Sequence, residues 1–198
     1  MGERLSGGNV AIALLANSIA TGCASYALIL VFAPVSGAHF NPAVSMIAAL
    51  GKKLSWWEAA AYTGAQLAGA FVGVAAAHLM FGEPLFFVSQ HQRTGAAQWW
   101  AEGVATFCLL VVILGTVRLG LPAIAAAVGA YIIGAYWFTA STSFANPAVT
   151  LARSASDTFA GIRPADAPAF IVMQLLGALA AYALMNWLTE RGTPQAKD

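Results

Sequence analysis

The chain has 198 residues, 60% hydrophobic and 9% charged, with a formal net charge of +1 and a mean hydropathy of +0.73. Such a composition excludes a soluble globular domain, and the near-neutral charge argues against a nucleic-acid partner. A bilayer core about 30 Å thick requires roughly 20 apolar residues per helix, and several runs of that length are present.

In chain order, Met1–Arg4 reads as a short polar loop, followed by a first spanning helix over Val10–Phe32. It is too long for a signal peptide and has no clear small-residue cleavage site. It runs into Ser36-Gly37-Ala38-His39-Phe40-Asn41-Pro42-Ala43. Asn is a favoured N-cap because its side-chain oxygen accepts an unpaired backbone N–H. Pro suits the next position, where no N–H bond is lost. Asn41-Pro42-Ala43 therefore predicts a helix that starts inside an apolar region. A second span covers Trp56–Met80, Gly82–Ala97 reads as an outer loop, and further spans cover Trp99–Val117 and Leu121–Ala140. Phe144-Ala145-Asn146-Pro147-Ala148-Val149-Thr150 then repeats the broken-helix signal before a last span over Ala167–Leu188. Trp56-Trp57 and Trp99-Trp100 read as interfacial anchors. Gly64, Gly69, Gly73, Gly129, Gly134 and Gly177 are expected to let helix backbones approach closely. Cys23 and Cys108 have neither disulfide nor metal-ligand spacing and read as small core residues. No cofactor or metal is expected.

The two Asn-Pro-Ala triplets mark an internal repeat, with a first repeat over 1–81 and a second over 98–190, joined by the loop 82–97. Gln66-Leu67-Ala68-Gly69-Ala70 is answered by Gln174-Leu175-Leu176-Gly177-Ala178. The second repeat has one more span in front, Trp99–Val117, whose counterpart would precede Met1. The expectation is that a first helix is absent from these 198 residues, with an upstream start preferred over a shortened chain or a true five-span protein. Placing Lys52, Lys53, Arg118, Arg191 and Lys197 inside, and Arg4, Arg93, Arg153 and Arg163 outside, gives a slight positive-inside bias. Met1 then lies outside, as it would after a lost span. Two broken helices in corresponding halves point to a solute pathway at the bilayer midplane.

These motifs resemble those of the major intrinsic protein family, the aquaporins and glycerol facilitators. The resemblance implies an all-α membrane protein with an aquaporin-like inverted repeat in a single channel domain over 1–198. Five spanning helices are present where the family has six, and two re-entrant half-helices meet head-on at mid-membrane. It further implies a multi-pass protein of the plasma membrane, embedded in the lipid bilayer as a homo-oligomer, a tetramer by family habit. The pore residues it implies are Asn41, Pro42, Ala43, Asn146, Pro147 and Ala148. Each half-helix start carries roughly half a positive charge, and two such ends form a barrier to cations and hydronium. The Asn amides would donate hydrogen bonds to neutral solutes. Unpaired carbonyls around Val35–Phe40 and Ala140–Ala145 would accept, since irregular backbone is tolerated in a membrane only where it lines a cavity or is buried.

Counting from the motifs places the family's narrowest ring at Thr21, Gly134, Ser143 and Val149. Most members carry Arg at the position that Val149 occupies. A ring without that guanidinium lacks five donors and a permanent charge, and is expected to be wide and mildly polar. The expected solutes are small neutral polyols and metalloid hydroxides such as arsenous acid, with water also passing. Valine there resembles bacterial members associated with arsenic resistance. A water-selective pore is the alternative. Arg153, four residues beyond Val149, is read as complementing the C-terminal end of the short helix, with a cation in the outer vestibule as the other reading.

Glu102 resembles the family's buried carboxylate that holds irregular loop backbone, and His39 is expected to order the loop near the inner mouth rather than act as a pH gate. Gln66 and Gln174 are expected to bond across helices, while Glu83 and Arg93 are expected to be solvated in the outer loop. An enzyme is not expected, because no nucleophile–base pair is recognisable beyond Ser36 and His39. A coupled transporter would show paired intramembrane carboxylates, and only Glu102 is available. A non-conducting fragment is the remaining rival, since without a first helix one wall of the bundle is missing.

Overall fold

The computed structural model describes residues 1–191, with side chains through Thr189. Among them are α1 (Gly2–Leu5), α2 (Val10–Ser36), α3 (Pro42–Leu50), α4 (Trp56–Phe81), α5 (Ala96–Thr116), α6 (Leu121–Phe138), α7 (Pro147–Arg153) and α8 (Ala167–Arg191). The five long ones, α2, α4, α5, α6 and α8, are long and apolar enough to cross a membrane. The side chain of Arg191 and all of Lys197 lie outside the described residues.

Helix starts follow local chemistry. Asn9 accepts from Ala11 N and Ile12 N at the head of α2. Ser55 and Glu58 form a reciprocal capping box at the head of α4, at 3.1 and 2.7 Å. Such caps satisfy N–H groups that the first turn of a helix leaves unpaired. Helix α2 continues through Pro34 to Ser36 and stops at Gly37, whose φ of 73° lies in the left-handed region. Only Gly37–Phe40 of the expected irregular stretch Val35–Phe40 is irregular. Proline loses one internal bond but keeps a helical φ, so two more residues fit before the glycine ends the helix.

The bundle closes where small residues face each other. α2 crosses α6 at Gly22 and Gly129, where a β-carbon on Gly129 would lie 2.8 Å from Gly22 O. α5 crosses α8 at Gly103 and Gly177, where a β-carbon on Gly177 would overlap Gly103 O. In lipid, close packing replaces the hydrophobic drive between helices. Ala43, Ala105, Ala125, Ala178 and Ala181 have no exposed surface and pack around Leu110 and Ile47 at the centre. The half-helices α3 and α7 touch each other, and each also rests against α4 and α8.

Gly134 meets only Phe138 of its own helix, and three more of the expected packing glycines, Gly64, Gly69 and Gly73, have nothing within 4 Å of an added β-carbon. These three lie on α4, whose most apolar window is only 6% buried. Close approach needs a second backbone, and on that face the described chain offers none. Cys23 is exposed rather than in the core, because it lies on the outward side of α2.

Gly177→Ala should therefore destabilise the protein by about 1–3 kcal/mol, the usual range for overpacking. Gly134→Ala, whose β-carbon would meet only the Phe138 ring at 3.6 Å, should leave the thermal midpoint in detergent unchanged. Equal midpoints for the two variants would refute the α5–α8 crossing.

Candidate functional site

The two half-helix starts are tied together by a reciprocal pair of hydrogen bonds. Asn41 Nδ2 donates to Ala145 O at 2.7 Å, and Asn146 Nδ2 donates to Phe40 O at 2.8 Å. Each acceptor is the residue just before the other Asn. The same side chains cap their own helices, Asn41 Oδ1 accepting from Ala43 N and Asn146 Oδ1 from Ala148 N and Val149 N. One asparagine thus serves two backbones at once.

Backbone geometry delivers those carbonyls. Ala38, Phe40, Ser143 and Ala145 have φ of 48–51°, the left-handed region that L-residues enter at about 1–2 kcal/mol each. They stand three and one residues before each Asn, at matching places in both halves. Such strain persists where surroundings over-determine it. In the second half the restraint is Glu102, fully buried, whose carboxylate accepts from Phe144 N at 2.8 Å and Ala145 N at 2.9 Å. Gln174 Nε2 donates to Glu102 Oε2 at 2.6 Å and to Thr150 Oγ1 at 2.8 Å. In the first half Gln66 Nε2 donates to Ser45 Oγ at 3.0 Å, and His39 Nδ1 bonds the same hydroxyl at 3.1 Å. His39 also packs against Tyr62, ring centroids 5.4 Å apart.

A cavity of about 640 Å³ runs past these groups and is bounded by Asn41, Asn146, Thr21, Ser143, Val149 and Arg153 among others. His39 borders it as well. Pro42, Ala43, Pro147 and Ala148 are buried behind it as the first turns of α3 and α7. Gly134 does not bound the cavity. α6 lines it with Ile124, Val128, Tyr131, Ile132 and Tyr136, and at 100° per residue Gly134 lies roughly 120° round from the centre of that stripe.

Arg153 borders the cavity beside Val149, and Arg93 is not solvated. Arg93 is 6% exposed and donates to Gly161 O at 2.7 Å, Ser141 O at 3.0 Å and Phe159 O at 3.2 Å. Burial, with Arg153 nearby, pushes its guanidinium down to about 10, so it stays charged at neutral pH. Carbonyls left over by the irregular chain draw it inward. Glu83 pairs with Arg4 at 2.6 Å. Both guanidiniums lie over the Phe144 ring, Arg93 at 4.9 Å and Arg153 at 4.3 Å from its centre.

Comparison with known proteins identifies the family. The family model described as Major intrinsic protein matches residues 3–119 and 115–197. The chain belongs to the major intrinsic protein family. It is 54% identical over 184 residues to aquaglyceroporin AqpS of Rhizobium meliloti (strain 1021), covering 93% of this chain and 79% of that relative. The probable aquaporin NIP4-2 of Arabidopsis thaliana is 35% identical over 83 residues, 41% of this chain and 29% of that protein. The X-ray structure of the aquaglyceroporin from Plasmodium falciparum is similar with a TM-score of 0.65 at 25% identity, covering 91% of this chain and 81% of that one. As a major intrinsic protein this chain is a multi-pass plasma-membrane channel for small neutral solutes, and not an enzyme.

Sequence reasoning missed Arg93 and Tyr136. Arg93 sits in a polar loop with no signal of burial. Tyr136 lies in a uniformly apolar span, and only its spacing from Ile132 and Val128 marks it as facing the stripe.

Glu102→Gln tests the brace. An amide presents one acceptor and an N–H₂ where two backbone N–H groups arrive, so a buried donor loses its partner at about 1–3 kcal/mol. A lower thermal midpoint is expected, together with reduced water flux per folded channel in proteoliposomes. Unchanged flux and midpoint would remove Glu102 from this role.

Proposed function

We propose that this major intrinsic protein passes compact hydroxylated neutral solutes, glycerol-like polyols and metalloid hydroxides such as arsenous acid, with water also passing. The observation that carries the reading is Val149, an apolar side chain in the cavity wall three residues after Asn146, where most members hold Arg. The similarity to an aquaglyceroporin over most of the chain supports the same solute class. Assembly as a homo-tetramer belongs to the reading by family resemblance, and the exposed apolar faces of α2 and α4 leave room for neighbours.

The residues give the physics of such a pore. An Asn amide has two N–H donors; one on each Asn is used on the opposite carbonyl, leaving the other for a passing oxygen. Phe40 O and Ala145 O likewise each accept one Asn bond and keep a second lone pair. A neutral hydroxylated solute exchanges its water shell for these groups as it advances. A cation meets two positive helix ends instead, and the few carbonyl acceptors are too weak a substitute for its hydration. Exclusion of ions and protons follows from that difference.

Stopped-flow light scattering on proteoliposomes of the complete protein, with water, glycerol and arsenous acid, tests the reading. Val149→Arg should lower flux of the two larger solutes about tenfold, an added barrier of about 1.4 kcal/mol, and water by less. A parent channel that passes water alone would establish a water-selective pore and overturn the proposal.

A further inference from the structure

We propose that Arg153 supplies the fixed cation of this pore, in a filter set one helical turn outside Val149. Residues four apart on a helix share a face, so Arg153 follows Val149 along the stripe of α7 that borders the cavity. The proposal deepens the solute reading above and rests on it only for the glycerol measurement.

Three observations carry it. The first is where the side chain goes. Its guanidinium lies over Phe144, two residues before Asn146, so it folds back along α7 toward the pore loop. The C-terminal carbonyls of α7 already have backbone partners, Leu151 O with Ser154 N, Ala152 O with Ala155 N and Arg153 O with Ser156 N. A side chain that merely complemented the end of the helix would lie over those carbonyls.

The second is a directed chain of donors across the mouth. Arg153 Nη2 donates to Tyr136 Oη at 3.0 Å, Tyr136 donates to Thr21 Oγ1 at 3.3 Å, and Thr21 donates to Asn17 O at 2.8 Å. Both hydroxyl hydrogens are consumed within the chain. Linked bonds of this kind polarise one another and hold geometry, so Tyr136 ties Arg153 to Thr21 of α2, which also borders the cavity.

The third is what remains free. Arg93 uses most of its five N–H donors on the carbonyls of Gly161, Ser141 and Phe159. Arg153 makes one hydrogen bond among the described residues, and none of its nitrogens is both buried and unpartnered. Arg153 borders the cavity, so its remaining N–H groups are neither bonded nor sealed in the core. Two cations share one aromatic ring, and only one of them is available to solute. The group it would recognise is a hydroxyl or acid oxygen of a compact polyol or oxyacid, while metal cations and hydronium are repelled.

The test compares the complete protein with Arg153→Met, Arg153→Lys and Tyr136→Phe in proteoliposomes, reading water flux, glycerol flux and cation-driven dissipation of an imposed pH gradient. With each flux taken per folded channel, R153M should lower the glycerol-to-water ratio about tenfold, the effect of losing one charge-assisted bond, and speed gradient dissipation. R153K should restore the slow dissipation but only part of the ratio, because ammonium keeps the charge and loses the fork. Y136F should lower the ratio by a smaller factor. A parental ratio and parental dissipation in R153M would reduce Arg153 to a structural cation and overturn the proposal. If the parent passes water but no glycerol, the solute reading fails, and the dissipation measurements in R153M and R153K still decide the filter.

Discussion

An unpaired backbone group in a membrane costs several kcal/mol, and this chain starts two short helices, α3 and α7, among its membrane-spanning ones. Such starts are tolerable because each half supplies what the other lacks. Asn41 and Asn146 each end a run of irregular backbone, cap the next helix and donate across the symmetry axis to Ala145 O and Phe40 O. Neither half-helix start is complete alone. This explains why the triplet occurs twice, and why the residues three and one before each Asn share a left-handed conformation. That conformation places the accepting carbonyls, and the cross-bonds hold them there.

Around this reciprocal pair the two halves use the same scaffold with different reinforcement. A glutamine from the span that follows each half-helix donates to a hydroxyl on that half-helix, Gln66 of α4 to Ser45 and Gln174 of α8 to Thr150. The second half adds a buried carboxylate, Glu102, which takes both Phe144 N and Ala145 N. In the first half an imidazole, His39, bonds the hydroxyl of Ser45. A carboxylate accepting backbone N–H groups makes charge-assisted bonds about twice as strong as neutral ones. The second loop is thus held more firmly, and it is the loop that carries Phe144 and faces both guanidiniums.

How much of this could be read from residues alone depended on whether the governing interaction was local. The Asn-Pro pairs, the long apolar runs and the Gln66–Gln174 correspondence report on backbone chemistry within a few residues, and each has a counterpart among the described helices. Glu102 was legible because a carboxylate in an apolar span demands a partner. Arg93 was not: its burial depends on carbonyls of Ser141, Phe159 and Gly161 that only the folded loops bring together. Gly64, Gly69 and Gly73 show the opposite failure, since a small residue marks a possible approach and not the neighbour that makes it. Gly134 was reached by counting along a helix, and counting does not record that the cavity stripe of α6 runs through Val128, Ile132 and Tyr136.

The outer ring follows from the same separation of local and collective effects. A fixed cation needs a scaffold that keeps it out of the solute's path while leaving donors exposed. Position 149 offers one place on α7, and position 153 offers another on the same face. Moving the charge outward by one turn requires an anchor that spans the mouth and a surface on which the guanidinium can lie flat. Tyr136 bonded to Thr21 is such an anchor, and the face of Phe144 is such a surface. The cavity wall next to Asn146 is then left to Val149, which adds no donor and no charge. Recognition of oxygen and passage of the solute thereby fall on successive turns of one short helix, so the width of the pore and its electrostatic sign can vary independently.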